Sequence, residues 1–241
     1  MKQLFYSLGL SIALLAGCKD KAEEEPRFEA TGTYTITTAP VAGAVRMFTR
    51  AGEVSNAPLI RRFAERNYSG LLYSPGAVSP YLSGELAFAG NGQATLTTTA
   101  SQMGSVVATT LVCDITSQTS KSLVLTSRLP TVAYTPTAPN ACYSIVRDIK
   151  GVAPVYTCTA LSPSTGYSGQ CESKPVYVLN LRGTQPSLAL LSYIFSAANA
   201  GQTCSLGYRN DFNTFNTALP GRLNAGDTLV VQESELPLVK K

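Results

Sequence analysis

The side chains able to do chemistry are few, and one kind is missing: the 241 residues contain no histidine. That removes Ser-His-Asp and Cys-His catalysis, histidine acid–base work near neutral pH and the usual zinc sites. Carboxylates remain. Ten follow residue 30 and are dispersed; Asp114 and Asp148 lie on predicted strands and could converge in a cleft for glycoside hydrolysis. A solvated strand face is the preferred reading for each. Gly166-Tyr167-Ser168-Gly169-Gln170 has a serine between glycines, but Gln170 stands where a nucleophile elbow needs its second glycine, and no base is at hand. Asn210-Asp211-Phe212-Asn213-Thr214 is the densest run of side-chain oxygens; with one carboxylate and no calcium-loop spacing it reads as a turn. No catalytic residue, metal site or cofactor is predicted, so the chain reads as a non-enzyme.

Binding chemistry is better supplied. There are 12 tyrosines and no tryptophan. Tyr68, Tyr73 and Tyr81 lie in a Gly/Ser/Pro-rich stretch, and a tyrosine offers a flat apolar face plus a hydroxyl, which suits sugars and partner proteins. The plainer alternative is that these rings cover a barrel mouth or pack on a helix. The formal net charge is +4, but apart from Arg61, Arg62 and Arg66 the basic residues are scattered, which argues against nucleic acid as a partner.

The N-terminus carries an address. Lys2 is followed by an almost wholly apolar run, Leu4 to Ala16, too short to span a bilayer as a helix, which needs roughly 20 residues. Leu15-Ala16-Gly17-Cys18 resembles the lipobox of bacterial lipoproteins. The resemblance implies a signal peptide over residues 1–17, cleavage before Cys18 and acylation of Cys18. Residues 18–30 then form a charged tether with too little apolar surface to fold. Cys18-Lys19-Asp20 is similar to the short signal that Bacteroidota use to send lipoproteins to the outer face of the outer membrane. The expected location is therefore the outer membrane, lipid-anchored, on the periplasmic face or the cell surface.

With Cys18 acylated, five cysteines remain for an oxidising compartment: Cys113, Cys142, Cys158, Cys171 and Cys204. An odd number allows at most two bridges and leaves one thiol. Cys158–Cys171 is the favoured pair, because a Ser/Pro/Gly stretch separates two strand-like runs. A second bridge among Cys113, Cys142 and Cys204 is open, as is a set of buried free thiols.

These residues must be positioned mainly by strands. Thr33-Tyr34-Thr35-Ile36-Thr37 alternates with period two; Glu85–Ala89 and Ala94–Thr97 flank Gly90-Asn91-Gly92, a hairpin signal. Val107, Thr109, Leu111, Cys113 and Ile115 share one face, which turns Cys113 inward. Further strands are expected around Leu123–Leu125, at Cys142–Ile149, Val155–Ala160, Val176–Leu181, Leu188–Phe195 (apolar on both faces, hence central), Thr203–Tyr208 and Thr228–Gln232. Asn56–Asn67 breaks the pattern: a capping residue, an early proline and an apolar face of Leu59, Ile60, Phe63 and Ala64 predict a helix against a sheet edge or barrel end.

About eleven strands and one helix make residues 31–241 a single all-β domain, either an antiparallel barrel or a two-sheet sandwich. The Gly-Thr-Tyr-Thr start, strand order and short helix are loosely similar to lipocalin-like envelope lipoproteins, although the tryptophan usual there is absent. The expected function is a lipid-anchored binding module for a small apolar ligand or glycan. The alternative is an assembly protein with a filled core that meets an envelope partner through its loops; a carboxylate-based hydrolase is third.

Overall fold

The computed structural model describes residues 28–37, 39–68, 81–102, 105–136, 145, 147–161, 167–181, 185–199 and 202–241. The signal, Cys18 and the charged tether as far as residue 27, and also Tyr73 and Cys142, lie outside these.

Eight antiparallel strands close into a barrel in the order β1 (Thr31–Ile36), β4 (Tyr81–Ala89), β5 (Gln93–Gln102), β6 (Ser105–Gln118), β7 (Ser122–Ser127), β11 (Val176–Asn180), β12 (Ser187–Asn199) and β14 (Thr228–Lys240), with β14 pairing back onto β1. The β12–β14 ladder closes the ring, which sets the sandwich alternative aside. Closure removes open edges, the standing liability of sheets. The hairpin β4–β5 turns at Gly90-Asn91-Gly92, where Gly90 and Gly92 take φ of 76° and 80°, a region a side chain rarely adopts. Alternation then fills the barrel: Leu86, Leu96, Leu123, Leu125, Leu179 and Leu188 are essentially inaccessible. Cys113 lies among them, as its strand face requires.

Three insertions decorate the ring. Between β1 and β4 come β2 (Val45–Thr49), β3 (Gly52–Val54) and α1 (Ala57–Tyr68). Between β7 and β11 a separate three-stranded sheet forms from β8 (Thr131–Pro136), β10 (Tyr167–Ser173) and β9 (Tyr156–Ala160). Between β12 and β14, β13 (Gln202–Asp211) extends the far half of β12. Asn56 starts α1 by accepting the Leu59 N–H on Oδ1 at 3.0 Å. Ile60, Phe63 and Ala64 bury against Met47, Ile194 and Val230, so α1 lies on the continuation of the barrel's inward face. Leu59, expected on the same face, is 45% exposed.

Several expectations need correction. Ile145, Arg147 and Asp148 are helical where a strand was expected, and the Ile149 N–H donates to the Ile145 carbonyl at 3.1 Å. Ile145 and Ile149, one helical turn apart, both enter the cluster around Leu191 and Phe195, and that period of four overrides local strand preference. Fourteen strands occur among the described residues, not about eleven; β14 runs on through Pro237 to Lys240, and β10 lies where the intercysteine loop was expected.

Gly43 shows how tightly the crossing from β1 to β2 hugs β14. A Cβ there would sit 1.9 Å from the Glu233 carbonyl oxygen, a backbone atom that cannot step aside. Gly43→Ala should therefore cost about 2–4 kcal/mol. Gly221→Ala, where an added Cβ meets nothing within 4 Å, should be nearly neutral. Denaturant midpoints of the two variants check this directly.

Candidate functional site at the barrel mouth

The two ends of the barrel differ. At one end Phe28 joins the core against Tyr34 and Phe88, ring centroids 6.0 and 5.9 Å away, and its carbonyl accepts the Gln118 side-chain amide at 2.6 Å. At the other end, among the described residues, a cleft of about 430 Å³ stands on Leu96 and Leu111 of the core. Its walls come from Thr98 of β5, Thr109 of β6, Tyr177 of β11, Tyr156 of β9 and Tyr208 of β13. The insert sheet thus supplies one wall, and β13 with the segment after it supplies another.

That last segment is sewn in place. Asn213 is 1% exposed; its Oδ1 accepts the Val152 N–H at 3.0 Å and its amide donates to the Val152 carbonyl at 2.8 Å, imitating a strand pairing. The Phe212 carbonyl takes the Val178 N–H at 3.0 Å where β11 and β12 part. Lys150 Nζ and Asp211 Oδ2 meet at 2.5 Å with both side chains mostly buried, so the cleft contains a fixed ion pair. The dense oxygen run 210–214 is therefore the clasp of the cleft rather than a free turn.

Aromatic rings are held around this pair. Tyr208 stacks on Tyr193 at 6.0 Å, Tyr177 lies against Phe212 at 5.5 Å, and the Arg147 guanidinium sits 4.7 Å above Tyr156. Burial, reinforced by the nearby Asp211 charge, pushes the Tyr193 phenol well above the usual tyrosine range, so it stays protonated. The result is a rigid, partly apolar cleft edged with hydroxyls and one charged pair, suited to holding a flat polyhydroxylated molecule.

Tyr68 ends α1 and Tyr81 begins β4 opposite Ala100. The side chains of both lie outside the described residues; among those described, the tyrosines that line the cleft are 156, 177 and 208, far apart in sequence and brought together by topology. Asp114 pairs with Arg128 at 2.7 Å, and Arg128 holds its carboxyl below the usual carboxylate range. Asp148, on the helical turn, pairs with Arg222 at 2.7 Å. Neither lines the cleft. Glu233 and Glu235, in an outer groove, are engaged as acceptors: of the Phe215 N–H, and of the Asn180 and Ser187 side chains respectively. Ser168 lies in the extended run of β10, not at a strand-to-helix turn. Among the described residues no cluster of three metal-ligating side chains occurs.

The Cys158–Cys171 disulfide is present; its residues face each other across β9 and β10 with Cα atoms 4.0 Å apart. Cys204 is also disulfide-bonded. Cys113 is the free cysteine among the described residues. Burial first, and Asp114 second, raise its thiol from an ordinary 9.0 to about 11. The native thiol should therefore resist thiol reagents at pH 8 and react after denaturation. The unfolded chain gives up this proton first, so stability should fall as pH rises from about 9 towards about 11. Thiol titration and alkaline melts check both. No family model, curated protein or solved structure matches this chain.

Proposed function

We propose that this is a lipid-anchored binding protein of the bacterial outer membrane that holds a glycan in the cleft at its barrel mouth. The carrying observation is the convergence of Tyr156, Tyr177 and Tyr208 with the Lys150–Asp211 pair in one cleft. The packed interior below it supports a ligand at the mouth, not one swallowed by the barrel. The lipobox at Leu15–Cys18 supports the anchor. Polarity supports the pairing of the two: the chain enters at the Phe28 end, and the cleft opens at the opposite end. A tether over residues 18–27 reaches at most about 35 Å, and the cleft lies at the barrel end farther from where that tether joins.

The test is binding to a panel of envelope and plant oligosaccharides. Tyr156→Ala with Tyr208→Ala should weaken the best binder at least about tenfold, each stacked ring contributing on the order of 1 kcal/mol. Unchanged affinity in that variant would sink the reading. A second reading rests on an apolar groove of about 550 Å³ between the barrel wall and the insert sheet, bordered by Val124, Val152, Val155 and Val176. It would take a small apolar ligand, and the tyrosine variant would leave that binding unchanged.

A further inference from the structure

We infer that the glycan is acidic, and that the outer face of α1 is its second point of attachment. This rests on the cleft reading and names the ligand class. α1 turns Ile60, Phe63 and Ala64 inward, onto Met47, Ile194 and Val230, and leaves Leu59 exposed. Arg61, Arg62 and Arg66 are left exposed, and none has an acidic partner within salt-bridge distance among the described residues. Arg62 and Arg66, four apart, are neighbours on the helix surface, and Arg61 stands one step round. Arg50, at the turn between β2 and β3, is exposed too, whereas Arg46 is neutralised by Glu53 at 2.7 Å. Arg62 and Arg66 repel each other at this spacing, Glu65, exposed three and four residues from Arg62 and Arg61, is the one acid on α1, and only Arg66, in the last turn, gains from the helix dipole. The arrangement is explained by an anion that comes to it.

Position and composition select the anion. Ile194 and Val230 face each other near the far end of the barrel, so α1 lies at the same end as the cleft and opposite the tether. The arginines thus lie at the end farther from where the tether joins. Phe63 is half-buried inward, and among the described side chains no aromatic ring stands among the arginines to stack on bases, while the exposed apolar surface of α1 is confined to its first turn at Leu59. Planar guanidinium groups in a row suit the repeated carboxylates of an acidic polysaccharide, one sugar of which occupies the tyrosine cleft.

The experiment measures binding of the full-length chain in detergent to polygalacturonate and to its fully methyl-esterified form, which keeps the sugar and removes the charge. The parent should prefer the acidic polymer at least about tenfold at 50 mM salt and lose that preference near 500 mM. Arg61→Gln/Arg62→Gln/Arg66→Gln, with melting unchanged, should abolish the preference, and the charge-reversed glutamate triple should do the same. Equal binding of both polymers by the parent, or full preference in either triple variant, would overturn the inference. So would binding confined to anionic phosphatidylglycerol vesicles. The cleft is read separately: if Tyr156→Ala weakens both polymers alike while the arginine variants leave them unchanged, the cleft reading stands and the arginine inference falls. If the arginine variants abolish the preference and Tyr156→Ala changes nothing, the arginine surface stands and the cleft reading falls.

Discussion

Replacing Cys18 with alanine should move essentially all of the protein from the membrane fraction to the soluble fraction. The expectation follows from the chemistry of one atom. The apolar run before Cys18 is too short to hold the mature chain in a bilayer, and among the described residues no helix is long and apolar enough to cross one. On the proposed lipobox reading, attachment rests on acyl chains on Cys18, each buried CH₂ contributing about 0.8 kcal/mol, so several chains anchor firmly. Barrel stability should be unchanged, because the first residue seen to join the core is Phe28. Fractionation, with mass analysis of the N-terminal peptide, reads both. A Cys18→Ala protein that still sediments with membranes would contradict the lipobox reading.

Cys158→Ser, alone or with Cys171→Ser, should bring the second large effect, and a local one. The bridge ties β9 to β10 in a sheet that, among the described residues, pairs with no barrel strand, so only the sheet's own short ladders hold these strands in register beside it. A closed loop of this size contributes about 3 kcal/mol in the chain-entropy model. That exceeds what a small three-stranded sheet spares, while the barrel ladders are untouched. Proteolysis should therefore cut within residues 131–173 first, and glycan binding should fall because Tyr156 leaves the cleft wall, with the barrel still folded. Equal protease resistance of variant and parent would show that the sheet stands without its bridge.

The barrel strands were legible because their signal is local. Alternation at Thr33–Thr37, the glycines around Asn91 and the one-faced run through Cys113 each record which side is buried, and each pointed the right way. The Cys158–Cys171 bridge was legible from the run between the cysteines, although four residues of that run, Tyr167–Gln170, belong to β10. Less visible was anything decided at a distance. The helical turn at Ile145–Ile149 is set by a cluster that includes residues 191–231. The second half of β14 alternates Glu233, Glu235 and Pro237 with Ser234, Leu236 and Leu238, and the proline hid a ladder to β12 that needs no donor there. Nothing in the sequence links Tyr156, Tyr177 and Tyr208; only β13 folding back on β12 beside the insert sheet does that. The run 210–214 did carry a signal, an excess of side-chain oxygens, but a turn and a clasp look alike until Val152 is seen opposite Asn213.

Native mass spectrometry of the chain purified from an oxidising compartment, beside its Tyr156→Ala/Tyr208→Ala variant, shows whether the barrel mouth retains a glycan. The parent should carry a mass excess that corresponds to sugar residues, vanishes on denaturation and is missing from the variant. A bare parent, or an apolar adduct retained equally by both proteins, would contradict the cleft reading.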